Sequence, residues 1–227
     1  MEKILLIFGA TGSLGAGVSE VLITKDYSKI FLFGRNFKSD IVYPQHVKTI
    51  NIGNLAEESN VIESFKHIPK KIGNRYFLYS TIGGFLSGSV IDMDYGEWKK
   101  MFDSNVNIAF LLSKHFSKLA SKFSGCSICF TSAASVFETE KNKSAYGASK
   151  LALNYLVETL ALEGKEYNMS ANIVAPNIID TPENRKWVKN TDQLTSPFTI
   201  AESVHKLFSE PEAYNGKVIK IYGNQSN

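Results

Sequence analysis

A chain of 227 residues, 44% hydrophobic and 21% charged, suits one large globular domain with a substantial core and does not have the composition of a disordered one. The net charge of +3 is small and dispersed, which argues against nucleic acid as a partner; pairs such as Lys70-Lys71 and Lys99-Lys100 read as solvated ends. No apolar run nears the roughly 20 residues of a membrane span, and the first residues lack the shape of a signal peptide, so a soluble cytoplasmic protein with no membrane partner is expected.

Strand-like and helix-like segments alternate along the chain. Ile4–Phe8 is a short apolar run ending at Gly9, and Leu14–Thr24 carries Leu14, Val18, Val21 and Leu22 at helical spacing. Lys29–Phe33 predicts a second strand that closes on Gly34. Val47–Ile52 predicts a third, Glu57–His67 a helix, and Tyr76–Tyr79 a fourth strand running into Ser80-Thr-Ile-Gly-Gly84. A long helix is expected from about Trp98 to Lys122, followed by a strand over Ser127–Thr131. A second long helix is expected from about Ala145 to Tyr167, then strands over Ser170–Val174 and Lys217–Tyr222. The stretch from Pro176 to Pro197 holds three of the six prolines and little periodicity. A loop of that length reads as a lid or substrate wall over about 177–200, with Trp187 and Phe198 giving it something to bury. Strands apolar on both faces, alternating with helices, predict one α/β domain over 1–227. Its expected form is a Rossmann fold, a doubly wound parallel sheet of about seven strands with helices on both faces.

Cys126 and Cys129 have the spacing of a redox or zinc half-motif, but they lie in a predicted strand. Residues three apart on a strand point to opposite faces, so both read as packing residues. His46, His67, His115 and His205 share no spacing suited to a metal, and none is expected.

Phosphate binding needs backbone N–H groups that can be approached closely and a helix N-terminus that favours negative charge. Gly9-Ala-Thr-Gly12-Ser-Leu-Gly15 offers both, because it follows a strand and precedes a helix. Thr11, Ser13 and Leu14 belong to the same turn. The spacing is G-x-x-G-x-x-G rather than the generic G-x-G-x-x-G. At the end of the second strand, Gly34-Arg35-Asn36 has no carboxylate before Asp40. NAD selection commonly uses an acid at that place, whereas Arg35 suits a 2′-phosphate. NADP(H) is therefore the expected cofactor, with NAD(H) as the alternative.

Tyr146-Gly-Ala-Ser-Lys150 sets a phenol and an ammonium one helical turn apart. An ammonium near a phenol stabilises the phenolate and lowers its pKa from the usual value of about 10. Hydride transfer to a carbonyl builds charge on oxygen. Ser132 could polarise that oxygen and Tyr146 could deliver the proton.

With these residues the chain resembles the short-chain dehydrogenase/reductase family over nearly its whole length. The match includes the glycine turn, Asn105 within Asp103-Ser-Asn-Val-Asn107, Ser132, the Tyr146/Lys150 pair, Asn172-Ile-Val-Ala-Pro176 and Thr181. The resemblance implies Tyr146 as general acid/base, Lys150 binding the nicotinamide ribose, Asn105 propping a water relay and Thr181 contacting the nicotinamide amide. Asn51 stands where the family usually has an acid near the adenine. The implied cofactor set also takes in Asn36, Ile52, Thr81, Gly83, Pro176 and Ile179.

Asp180-Thr-Pro-Glu-Asn-Arg-Lys186, with the glycine turn and the short C-terminal part, looks like the dihydropteridine reductase-like branch, which reduces a quinonoid dihydropterin. Against that branch stand Arg35, where its members favour NADH through an acid, and the presence of Ser132. Ser132 lies 14 residues before Tyr146, one more than is usual in the family, so Ser135 is a second candidate. Ser80-Thr-Ile-Gly83 replaces the usual Asn-Asn-Ala-Gly, and Asn177 replaces a glycine.

The expected activity is thus hydride transfer between NADP(H) and a small carbonyl, alcohol or pterin-like molecule. The alternative is a catalytically silent dinucleotide sensor or scaffold. A sugar-nucleotide epimerase or dehydratase is disfavoured, since those usually bring a sizeable C-terminal substrate domain. Family members pair through helices equivalent to 98–122 and 145–167, which implies a homodimer or homotetramer.

Overall fold

The computed structural model describes residues 1–123 and 125–223. Seven strands form one all-parallel sheet: β1 (Lys3–Phe8), β2 (Lys29–Gly34), β3 (Val47–Asn51), β4 (Arg75–Ser80), β5 (Cys126–Thr131), β6 (Met169–Pro176) and β7 (Val218–Ile221). Their order is β3-β2-β1-β4-β5-β6-β7. From β1 the chain winds outward to β2 and β3, returns to β4 on the other side of β1, and continues to β7. The sheet order therefore reverses between β1 and β4, which leaves a crevice at their carboxyl ends.

The alternation within β1 shows why the sheet is covered twice. Ile4, Leu6 and Phe8 join a core with α2 (Glu58–Lys66), α4 (Ile108–Ala120) and α5 (Ser144–Glu163). Leu5 and Ile7 join a second core with α1 (Ser13–Leu22) and α6 (Pro197–Ser209). A strand of this kind must be apolar on both faces, and all five residues are fully buried. The two cysteines divide in the same way: Cys126 packs in the first core and Cys129 in the second, and both are free thiols.

Three elements differ from the sequence reading. The helix expected to begin near Trp98 starts at Tyr95 as α3 (Tyr95–Phe102), where Asp94 caps it by accepting the Gly96 N–H at 2.6 Å. It then passes through one π turn, Asp103–Asn107, before α4, and ends at Ala120. The helix expected over 145–167 is α5 with a terminal 3₁₀ turn, Gly164–Tyr167.

The third difference lies in the proline-rich stretch, where α6 already begins at Pro197. Ser196 caps it through the Thr199 N–H at 3.1 Å, and proline stands in its first turn. Before α6 there are only two short 3₁₀ turns, Asn184–Lys186 and Thr191–Gln193. Trp187 and Phe198 are not buried by this segment, being 62% and 59% exposed. No helix among the described residues is long and apolar enough to cross a membrane.

Candidate active site

A cleft of about 690 Å³ opens at the β1/β4 crevice. The glycine turn forms one wall. Gly9 has φ +86°, a left-handed conformation open to glycine, and a Cβ on Gly15 would lie 2.0 Å from the Gly9 carbonyl oxygen. The turn is pinned from both sides. Gly9 and Ala10 donate their N–H groups to Phe33 O at 2.9 and 3.0 Å, and the Thr81 hydroxyl lies 3.2 Å from the carbonyls of Phe8 and Gly9. Bare backbone leading into the N-terminus of α1 is the donor set that a pyrophosphate requires.

Arg35 and Asn36 line the next part of the cleft. Thr11 Oγ1 accepts the Arg35 N–H at 3.0 Å, which ties the end of β2 to the glycine turn, and Asn36 has φ +57°. Arg35 is exposed and makes no ion pair among the described residues. Ile52, Gly53, Asn54 and Leu55 line the far end. Asn51, expected at the adenine, is the last residue of β3; it is exposed and does not line the cleft.

At the other end, Ser132, Tyr146 and Lys150 face one space, together with Thr131 and Gly83. The Ser132 hydroxyl is buried and has no hydrogen-bond partner in the protein, so it is free to donate to a bound oxygen. Ser135 lies in the 3₁₀ turn Ala134–Phe137 and does not line the cleft. Lys150 is 4% exposed, and its Nζ donates to Thr131 O at 2.9 Å. Thr131 is itself locked, since its hydroxyl meets Tyr79 Oη at 2.8 Å and donates to Ser80 O at 3.1 Å.

Burial lowers the Lys150 ammonium to about 8. It also raises the Tyr146 phenol to about 12, with the Glu140 carboxylate adding to the rise. The expected lowering of the phenol by Lys150 is not seen. The ammonium is directed to a backbone carbonyl, and desolvation dominates at Tyr146.

Asn105 stands behind this wall, turned inward by the π turn, in which Ile108 donates to Asp103 O five residues back. Its Nδ2 donates to Gly84 O at 3.1 Å and Ser149 Oγ at 2.9 Å, and its Oδ1 accepts the Gly84 N–H at 2.8 Å. Ser149 in turn donates to Tyr146 O at 2.9 Å. Both amide protons are thus spent on bracing the Gly83-Gly84 turn against the turn of α5 that carries Tyr146. A Cβ on Gly83 would sit 2.7 Å from Lys150 Nζ and 2.8 Å from Asn105 Oδ1, so the wall is closely packed.

The structure gathers most of the residues singled out from sequence, but Asn51, Asn105, Pro176 and Thr181 do not line the cleft. Pro176 is buried at the end of β6. Thr181 is 8% exposed, and its hydroxyl accepts the Asn184 N–H at 3.2 Å. Ile179 does reach the cleft. Several lining residues were not singled out from sequence, among them Asn54, Leu55, Phe85 and Thr131. Phe85 packs edge-on against the Tyr146 ring, with centroids 4.9 Å apart at 73°. Glu183 contacts Ser13 across the fold. An aromatic residue directly after Gly83-Gly84 was the available signal for Phe85; Glu183 had none. Among the described residues no cluster of three or more His, Cys, Asp or Glu could hold a metal.

A family model described as short chain dehydrogenase matches residues 3–192. A dihydropteridine reductase of Dictyostelium discoideum is 28% identical over 232 residues, covering 97% of this chain and 95% of that one. An uncharacterized oxidoreductase of Staphylococcus epidermidis is 23% identical over 224 residues, with 97% and 96% covered. Among solved structures, ElxO with NADP bound superposes with a TM-score of 0.83 at 22% identity, over 97% of each chain.

Proposed function

The chain belongs to the short-chain dehydrogenase family, and from that premise we propose that it transfers a hydride between NADP(H) and a small planar carbonyl or pterin-like molecule, with Tyr146 as general acid/base. The observation that carries this reading is the convergence of the Tyr146 phenol, the unpartnered Ser132 hydroxyl and the buried Lys150 on one cleft with the glycine turn. That cleft fits a dinucleotide: the turn leaves backbone N–H groups open, and a side chain at Gly15 would fill the cradle. When bound, the nicotinamide supplies or accepts the hydride. The protein's part is proton handling and positioning. Ser132 Oγ donates to the substrate oxygen, and Tyr146, which burial keeps protonated through the neutral range, delivers a proton to that oxygen. Lys150 keeps a positive charge below about pH 8 and orients the ribose and the phenol.

NADP(H) is favoured over NAD(H) by Arg35 and Asn36, exposed at the end of β2 with no carboxylate beside them in the cleft. A flat ring as substrate is supported by Phe85 against Tyr146 and by the dihydropteridine reductase relative. Residues 177–196 form the substrate-side wall of one domain. Phe110 on α4 and Leu151 and Tyr155 on α5 are 50%, 48% and 74% exposed, an apolar face suited to a homodimer or homotetramer. A fluorescence titration with NADPH and NADH, followed by turnover on a panel of carbonyls, quinones and quinonoid dihydropterin, tests the reading. Tighter NADPH binding and turnover of a panel member are expected; binding of neither cofactor and no turnover would refute it.

A further inference from the structure

Glu183 reaches from the substrate-side wall to the cofactor turn. Its Oε2 accepts a hydrogen bond from Ser13 Oγ at 3.0 Å, linking residues 170 apart in sequence. Ser13 opens α1, whose N-cap Gly12 has no side chain to offer and whose first turn holds no acidic residue. The unpaired N–H groups and the dipole at that end favour a negative charge. Within the protein, that charge comes from Glu183. The Glu183 carboxyl stays ionised, held below its usual range by its own backbone N–H and then by the Ser13 hydroxyl.

The turn that presents Glu183 is preformed. Asn184 donates its side-chain amide to Ile179 O at 2.8 Å, and Arg185 donates its backbone N–H to Thr181 O at 3.0 Å. Arg185 Nη2 also pairs with Asp180 Oδ2 at 2.7 Å, which keeps the guanidinium on its own turn. The base is fastened where Asp180 N donates to Thr195 O at 2.8 Å and Thr195 N to Ile178 O at 2.7 Å. Among the described residues, Glu183–Ser13 is the one side-chain hydrogen bond from 181–193 to the glycine turn.

We propose that Glu183 is an affinity-setting gate on the phosphate subsite, its carboxylate bonded to the Ser13 hydroxyl at the start of α1, beside the turn where a dinucleotide pyrophosphate would bind. The gate rests on the reading that the cleft takes a nicotinamide dinucleotide. Two anions cannot share one helix end without repulsion, so phosphate entry displaces Glu183 and lifts the 181–193 segment from Ser13. The gate acts on ligands that carry a pyrophosphate and not on those that end at the adenosine 2′-phosphate near Arg35.

Calorimetric titration of the wild-type protein and of Glu183→Gln with NADPH and with adenosine 2′-monophosphate, at low ionic strength, tests this. Glu183→Gln is expected to bind NADPH roughly three- to tenfold more tightly, the scale of one exposed charged contact, with adenosine 2′-monophosphate unchanged. Glu183→Ala should give the same gain. Unchanged or weaker NADPH binding in both variants overturns the gate and leaves the dinucleotide reading standing. An equal gain for adenosine 2′-monophosphate also overturns it, since that would be a general charge effect. No NADPH binding by any of the three proteins overturns the dinucleotide reading, and the gate with it.

Discussion

At the floor of the cleft and directly behind it, Lys150 and Thr131, with Asn105 and Ser149, are buried and hydrogen-bonded to one another or to backbone. Across from them, residues 182–193 carry most of their side chains in solvent, and Glu183 alone bonds to the glycine turn. The floor carries a stability cost, because a desolvated ammonium is held at a fixed point. In return its groups need no rearrangement when charge develops beside them. The outer segment is held by its own local hydrogen bonds and buries little, so it bears little desolvation cost. On the proposed reading, chemistry falls to the buried region and substrate access to the exposed one.

Four substitutions test the difference between the two regions. Gly15→Ala forces a methyl group against the Gly9 carbonyl and should cost about 3 kcal/mol of stability and abolish NADPH binding; denaturant melts and titration read both effects. Lys150→Met should eliminate turnover and yet raise stability. Burial depresses the Lys150 pKa from 10.5 to about 8, so the folded state binds fewer protons than the unfolded one between those values. The resulting penalty is fully present below about pH 8 and fades as pH rises to 10.5. Removing the ammonium should therefore gain about 1–3 kcal/mol at pH 7, part of it offset by the unpaired Thr131 carbonyl, and close to nothing at pH 10.5. A gain that does not shrink with pH would mean that the floor carries no such cost.

Arg35→Ala should weaken NADPH about tenfold and leave NADH unchanged in parallel titrations. Trp187→Ala, in the outer segment, should move stability by no more than about 0.5 kcal/mol in a thermal melt. A larger loss would show that segment to be as rigid as the floor.

How far the sequence could be read follows the same divide. Strand β1 and the glycine turn were legible because a strand buried on both faces is continuously apolar and because Gly9 and Gly15 leave no room for a side chain. Tyr146 and Lys150 were legible as a pair through helical spacing. Their protonation behaviour was not, since it depends on how deeply the fold buries both groups. The π turn was hidden because Asp103-Ser-Asn-Val-Asn107 continues an ordinary helical pattern, and the extra residue per turn appears only in the backbone bonds. Helix α6 could have been read from Ser196 and Pro197 as cap and first residue. Glu183 could not, because its partner lies 170 residues away.

On the proposed reading, the cleft is catalytic and Tyr146 moves the proton. Titration of wild-type and Tyr146→Phe proteins with NADPH, followed by single-turnover measurement on the best substrate of the panel, tests it most directly. Equal NADPH affinity with a loss of rate of roughly 10²–10⁴-fold in the variant is the expected result. Undiminished turnover by Tyr146→Phe would contradict the account.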